Sequence, residues 1–294
     1  MPERYTRRHV GDRHDGRRLR NLNPIFSLTP FVMRNPADAV NSFTDQAEVS
    51  AMEAWLAARR DGDHGELSLV HIFIAAYVRT LSQHPALNRF VAGRYLYARD
   101  RIDIVLSSGR SASADAGPLA VKVRFLPTDT VYDVCRKIGA QVDSIKADEE
   151  ASRLERAAGT LVKTPRFLLR FGATVLRFLD YYGWLGERWT DRSPFHGSAV
   201  ISDEGASSLP SMTRGLNSLG CLPLSLSIGR RRTGYELAQD GRVRQTHTVD
   251  YTVSVDSRIA DSAYIGAAFR TFRHYLSHPE ELESTPARVY DDSL

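Results

Sequence analysis

The chain has 294 residues, 42% of them hydrophobic and 25% charged, with a net charge of +4. These globular proportions allow a sizeable core, in one large domain or two smaller ones. Two cysteines, Cys135 and Cys221, make neither a disulfide framework nor a metal-ligand spacing, and no uninterrupted apolar run reaches the length of a membrane span.

The N-terminus is polar, with no apolar core of a secretory signal. The cysteine usage suits a reducing compartment, and the chain is expected to be cytoplasmic. Arg4, Arg7, Arg8, Arg13, Arg17, Arg18 and Arg20 concentrate positive charge at the start, but Glu3, Asp12 and Asp15 interrupt the run. Residues 1–16 therefore read as a solvated basic arm, and no nucleic-acid motif follows.

Ser42 to Ser50 reads as a strand leading into a helix over Ala51 to Arg60, and Asp61 to Gly65 as a turn. Leu69, Phe73, Tyr77 and Leu81 recur at helical spacing, so Ser68 to His84 is expected to be a helix stopped by Pro85. Tyr95 to Ala98, Ile102 to Leu106 and Leu119 to Leu126 read as strands, and Thr130 to Lys146 as a helix.

Thr164 to Trp189 interleaves Phe167, Phe171, Val175, Phe178, Tyr182 and Trp184 with Arg166, Arg170, Arg177 and Arg188. A basic amphipathic helix of this kind lies on a membrane surface, docks on a partner protein, or packs on its own sheet or between subunits; packing or subunit contact is the simpler expectation.

Leu222, Leu224, Leu226 and Ile228 alternate with small or polar residues, as do Val249, Tyr251, Val253 and Val255. That period is a half-buried strand, and Asp240-Gly241 between them suits a hairpin turn. A last helix over about Asp261 to Leu276 presents Ile265, Phe269, Phe272 and Leu276 on one face. The expected architecture is one α/β two-layer sandwich over residues 17–283, with a mixed, largely antiparallel sheet, helices on one face, and a tail at 284–294.

At the junction of the last strand and helix stands Asp256-Ser257-Arg258-Ile259-Ala260-Asp261-Ser262. It resembles the Asp-His-Arg-x-x-Asp-Gly signature of the catalytic domain of 2-oxo acid dehydrogenase dihydrolipoyl acyltransferases, in the chloramphenicol acetyltransferase-like superfamily. Ser257 stands where that family has its catalytic histidine, and Ser262 where it has glycine. Further segments agree in order along the chain: Ser42-Phe43-Thr44 through Ser50, His84-Pro85-Ala86-Leu87-Asn88, Val200-Ile201-Ser202-Asp203-Glu204-Gly205, and Leu276 to Leu282.

The resemblance implies a trimer with the active site in a channel between subunits. A histidine there takes a proton from a thiol, and a serine hydroxyl stabilises the oxyanion. By position, Ser202 would be that oxyanion donor. Asp261 would be the structural acid, with Arg20 its partner, and Arg258 would complete the frame. Ser257 cannot serve as a base at neutral pH. His196, just upstream of Ser202, is the nearest replacement; a hydrogen-bonded structural histidine is its simpler reading. No bound cofactor or metal is implied. Without a lipoyl domain in this sequence, a coenzyme A thioester is a more natural substrate than tethered lipoamide.

Two readings stay open. One is an acyltransferase moving an acyl group from a coenzyme A thioester to an unknown acceptor. The other is an inactive descendant acting as an oligomeric scaffold or binding protein, with residues 164–189 as its partner surface.

Overall fold

The computed structural model describes residues 9, 11–59, 66–108, 119–147, 164–237 and 243–292. Its spine is an antiparallel pair, β8 (Leu224–Leu237) and β9 (Val243–Asp256). Their alternation works as expected. Leu224, Leu226, Ile228, Tyr251, Val253 and Val255 are buried on one side, and the register pairs them across the ladder. The Asp240-Gly241 turn and the Asp61–Gly65 turn lie outside the described residues.

The other strands are β1 (Gly16–Arg18), β2 (Val40–Glu48), β3 (Arg89–Ala92), β4 (Tyr95–Arg99), β5 (Ile102–Ser108), β6 (Leu119–Phe125) and β7 (Ala199–Asp203). A six-stranded sheet runs β2-β9-β8-β7-β5-β6. β7 pairs in parallel with both β5 and β8, and the remaining pairs are antiparallel. A smaller antiparallel sheet runs β1-β4-β3.

The helices are α1 (Pro24–Val32), α2 (Ser50–Ala57), α3 (Leu69–Gln83), α4 (Val131–Ala147), α5 (Arg166–Tyr181), α6 (Glu187–Arg192) and α7 (Ser262–Ser277). α3 and α7 cover the apolar face of the large sheet. Phe73 of α3 meets Tyr251 and Phe272 edge-on, each at 6.0 Å between centroids, and Phe269 of α7 meets Phe43 at 5.0 Å. Burying each such ring contributes about 1.5–3 kcal/mol, so this layer holds the core together. The result is the expected α/β two-layer sandwich with a mixed sheet.

Both chain ends depart from expectation. The arm does not stay in solvent up to residue 16: Arg13 and Asp15 are buried, and Arg13 forms ion pairs with Asp15 at 3.1 Å and Asp180 at 2.9 Å. Of the expected tail at 284–294, the described residues 284–292 are not all free of the core. Asp292 is buried against Arg89, with two contacts of 2.6 Å, and Tyr290 N donates to Ser82 O. In each case a buried charge found its partner more than a hundred residues away, which removes the penalty of leaving water.

α5 departs from one half of its expectation, packing on its own sheet; contact between subunits is the other half. It does not bury its aromatic side in this chain: Phe171 is 68% exposed and Phe178 52%. Among the described residues, no helix is long and apolar enough to cross a membrane.

Candidate functional site

β9 ends at Asp256, and the signature-like loop leads from it into α7. Arg258 folds back onto Asp256, with Nε at 2.8 Å from Oδ1 and Nη2 at 2.6 Å from Oδ2, both residues buried. Its Nη1 also donates to Met33 O at 3.1 Å, which ties the loop to the end of α1. Paired in this way, the charges cost little to bury and fix the loop.

Ser257 is half-buried. Its Oγ donates to the carbonyl of Ala39 at 2.8 Å, and its backbone N–H reaches the same oxygen. Asp261 caps α7: its Oδ1 accepts from Tyr264 N at 2.7 Å. Arg20 instead bonds Asp12 at 3.1 Å, and no Arg20–Asp261 ion pair occurs among the described residues. The expected pairing is corrected accordingly: the nearby Asp12 meets Arg20's charge, and Asp261 answers the open N–H groups of a helix start.

Ser202 occupies a different place. It lies within β7 and is 0% exposed. The register aligns it with Ser107 on β5, Ser227 on β8, Thr252 on β9 and Thr44 on β2. Side chains in one row share a face, so the sheet turns a band of hydroxyls away from α3 and α7. Ser225, Ser254 and Ser42 form a second row on that face. The chain after β7 folds over the band. Met212 N donates to Ser227 Oγ at 2.9 Å, and Thr252 Oγ1 donates to Ser211 Oγ at 2.8 Å. Beneath it, the hydroxyls of Ser202 and Ser225 have no hydrogen-bond partner among the described residues.

Ser202 is level with Thr252, and Ser257 lies five residues further along β9. At the rise of a strand the two are about 17 Å apart along that direction. Within one protomer they do not form one site.

His196 stands before the start of β7, at the end of the sheet remote from Ser202, and is 2% exposed. Its Nδ1 meets Ser193 Oγ at 2.9 Å, and its Nε2 meets Asp180 Oδ1 at 3.2 Å. Both ring nitrogens are thus engaged. The expectation that it replaces the base beside Ser202 is corrected: five residues separate the two, most of them along β7, and both ring nitrogens of His196 face partners other than Ser202. The adjoining cavity, lined by Asp15, Arg99, Lys122 and Thr190 with His196, measures about 10 Å³, room for a single water.

His196 instead belongs to a buried ionic network that the sequence reading missed. Asp180 links it to Arg13, Arg13 to Asp15, and Asp15 to Arg99 at 3.5 Å; Arg99 Nη2 reaches Cys221 Sγ at 2.9 Å. Burial pushes the Asp180 carboxyl up, but the His196 hydrogen bond and the Arg13 charge outweigh it and hold it below the usual carboxylate range. Burial raises the Cys221 thiol. Gly220 lets this knot close: its φ is +86°, and a Cβ there would meet Phe195 O at 2.0 Å. Local spacing carries no sign of the network, because its charges come from five separate stretches of chain. Among the described residues, no cluster of histidine, cysteine or carboxylate side chains could hold a metal.

No protein-family model matches the chain, and no curated protein matches it. Solved structures do. A probable dihydrolipoamide acetyltransferase from Listeria monocytogenes superposes with a TM-score of 0.55 at 14% identity, over 94% of this chain and 99% of that one. The cubic core of a pyruvate dehydrogenase multienzyme complex gives 0.53 at 14% identity, over 90% and 94%. The truncated catalytic core of a 2-oxoacid dehydrogenase complex from Thermoplasma acidophilum gives 0.52 at 14% identity, over 89% and 97%. The fold is therefore the chloramphenicol acetyltransferase-like fold of these acyltransferase cores, across nearly the whole chain.

Proposed function

We propose that this protein is a non-catalytic, homo-oligomeric member of the acyltransferase fold, a scaffold or binding protein. One observation carries the reading. The position of the transferring base holds Ser257, whose hydroxyl is bonded to Ala39, and His196, the nearest replacement in sequence, is locked to Asp180 and Ser193 at the far end of β7 from Ser202. A serine hydroxyl does not titrate near neutrality, and a missing base lowers a transfer rate by about 10²–10⁴-fold. Assembly is supported by the fold, since one structure it resembles is itself a cubic core.

The second reading, acyl transfer from a coenzyme A thioester to an unknown acceptor in a channel between subunits, has one observation in its favour. Ser202 keeps a buried hydroxyl with no partner among the described residues, as an oxyanion donor awaiting its ligand would. The deciding experiment is turnover of a panel of acyl-coenzyme A thioesters by the assembled protein. The scaffold reading expects no thiol release above the uncatalysed rate. Turnover that Ser202→Ala reduces by about 10²-fold would establish the enzyme instead. A gain with Ser257→His over a parent protein that shows no turnover would instead agree with the scaffold reading, by showing that the base is what the site lacks.

A further inference from the structure

α5 divides its circumference into three sectors. Leu169, Leu176 and Asp180 turn inward, and Asp180 bolts the helix to Arg13 and His196. Arg166, Arg170 and Arg177 line one flank. Phe167, Phe171, Val175, Phe178 and Tyr182 recur every three or four residues on the other and are exposed. Tyr182 and Trp184 continue the surface, their rings 5.3 Å apart. α1 adds Ile25, Leu28, Phe31 and Val32, the last 80% exposed.

Between α1 and α5 opens a cleft of about 210 Å³, lined by Pro30, Arg34, Val91, Arg94, Arg177 and Tyr181 among others. Asp180 and Arg258 also border it, but each is already neutralised, by Arg13 and Asp256 respectively. Arg34, Arg94 and Arg177 have no carboxylate partner among the described residues; Arg94 lies over the Phe31 ring at 5.6 Å. The cleft is therefore strongly positive. The backbone bears this out. Arg94 sits at φ +63° in the turn between β3 and β4, a left-handed position that suits glycine and disfavours arginine. Gly93 beside it, at φ +55°, allows the Tyr181 carbonyl to approach where a Cβ would meet it at 2.5 Å. The turn thus holds an arginine side chain at the cleft against local preference.

We propose that the α1–α5 face docks on an anionic lipid bilayer. The exposed phenylalanines enter the acyl boundary, and Arg34, Arg94 and Arg177 hold a lipid phosphate in the cleft between the helices. Tyr181, Tyr182 and Trp184 suit this surface, because aromatic rings with a polar edge favour the headgroup level. Charge decides between a bilayer and a second copy of the same face. The cleft offers unpaired cations that a like patch would repel and a phosphate surface would neutralise.

The test is flotation of the full-length protein with vesicles of phosphatidylcholine alone or mixed with phosphatidylglycerol. The expected result is capture by the mixed vesicles only, weakening as salt is raised. Phe171→Glu with Phe178→Glu should lower the bound fraction about tenfold or more. Arg34→Gln with Arg177→Gln should abolish the preference for the anionic lipid, and neither pair should alter the molar mass by light scattering. The apolar pair changes side chains that are already exposed, and the arginine pair tests the same face without touching them. Failure to float with anionic vesicles would overturn the proposal. So would dissociation of the assembly by the Phe171/Phe178 pair, which would make the face a contact between copies.

Discussion

The hydroxyl of Ser257 and its own backbone N–H both bond the carbonyl oxygen of Ala39, closing the mouth between the start of β2 and the end of β9. A half-buried neutral hydrogen bond of this kind contributes about 1 kcal/mol. Ser257→Ala should lower the unfolding free energy by that amount in a urea titration, with an unchanged slope. No loss would mean that the hydroxyl is not holding the junction.

Ser202 and His196 lie at opposite ends of β7, so their effects should be independent. Ser202→Ala removes a buried hydroxyl that has no partner among the described residues and should stabilise the fold by up to about 1 kcal/mol. His196→Ala strips two hydrogen bonds from a buried cluster and should destabilise it by about 2 kcal/mol. The double variant should equal the sum within about 0.5 kcal/mol. A larger coupling, measured by the same denaturation, would contradict the separation described above.

Acid should weaken the protein through Asp15 and Asp180. Burial pushes the Asp15 carboxyl up, but Arg99 and Arg13 outweigh it and bring it from 3.8 to about 2. Because the folded value is the lower one, protonation favours the unfolded chain. The stabilisation is whole above about pH 4 and is lost as the pH falls toward 2; Asp15 accounts for about 2 kcal/mol of it. Asp15→Asn should cost about 3 kcal/mol at neutral pH, and its gap from the parent should narrow on acidification. A gap that stays constant from pH 6 to about pH 2 would remove Asp15 from this role.

Asp292→Ala should destabilise the protein by about 3 kcal/mol, because it takes the bidentate partner from the largely shielded Arg89 side chain. Thermal melting of this variant beside Asp291→Ala, a change at an exposed neighbour, separates the ion pair from a general effect of the C-terminal segment.

The elements that the sequence made legible are those whose side chains repeat. The alternation along β8 and β9 and the helical spacing of Leu69, Phe73, Tyr77 and Leu81 reflect burial against one surface, which local order records. Asp261, expected as the partner of Arg20, is instead the cap of α7. α1 was missed, since only Asn23 and Pro24 mark its start. The ionic network was missed because Arg13 and Asp180 are 167 residues apart, and an arginine with a distant partner looks no different from a solvated one. How far apart Ser202 and Ser257 stand is set by the strand register, which the sequence alone does not carry.

Arg17 Nη2 donates to Asp292 O across 275 residues of sequence. The first strand and the segment around Asp292 are therefore clasped to each other. During synthesis, β1 can pair with β4 as soon as Arg99 has emerged, yet Arg17 and Arg89 must wait for the final residues before their shared acceptor exists. A chain truncated after α7 would retain every strand and still lack the acceptor that joins Arg17 and Arg89 at this corner, so the segment around Asp292 fastens a sheet that is already built.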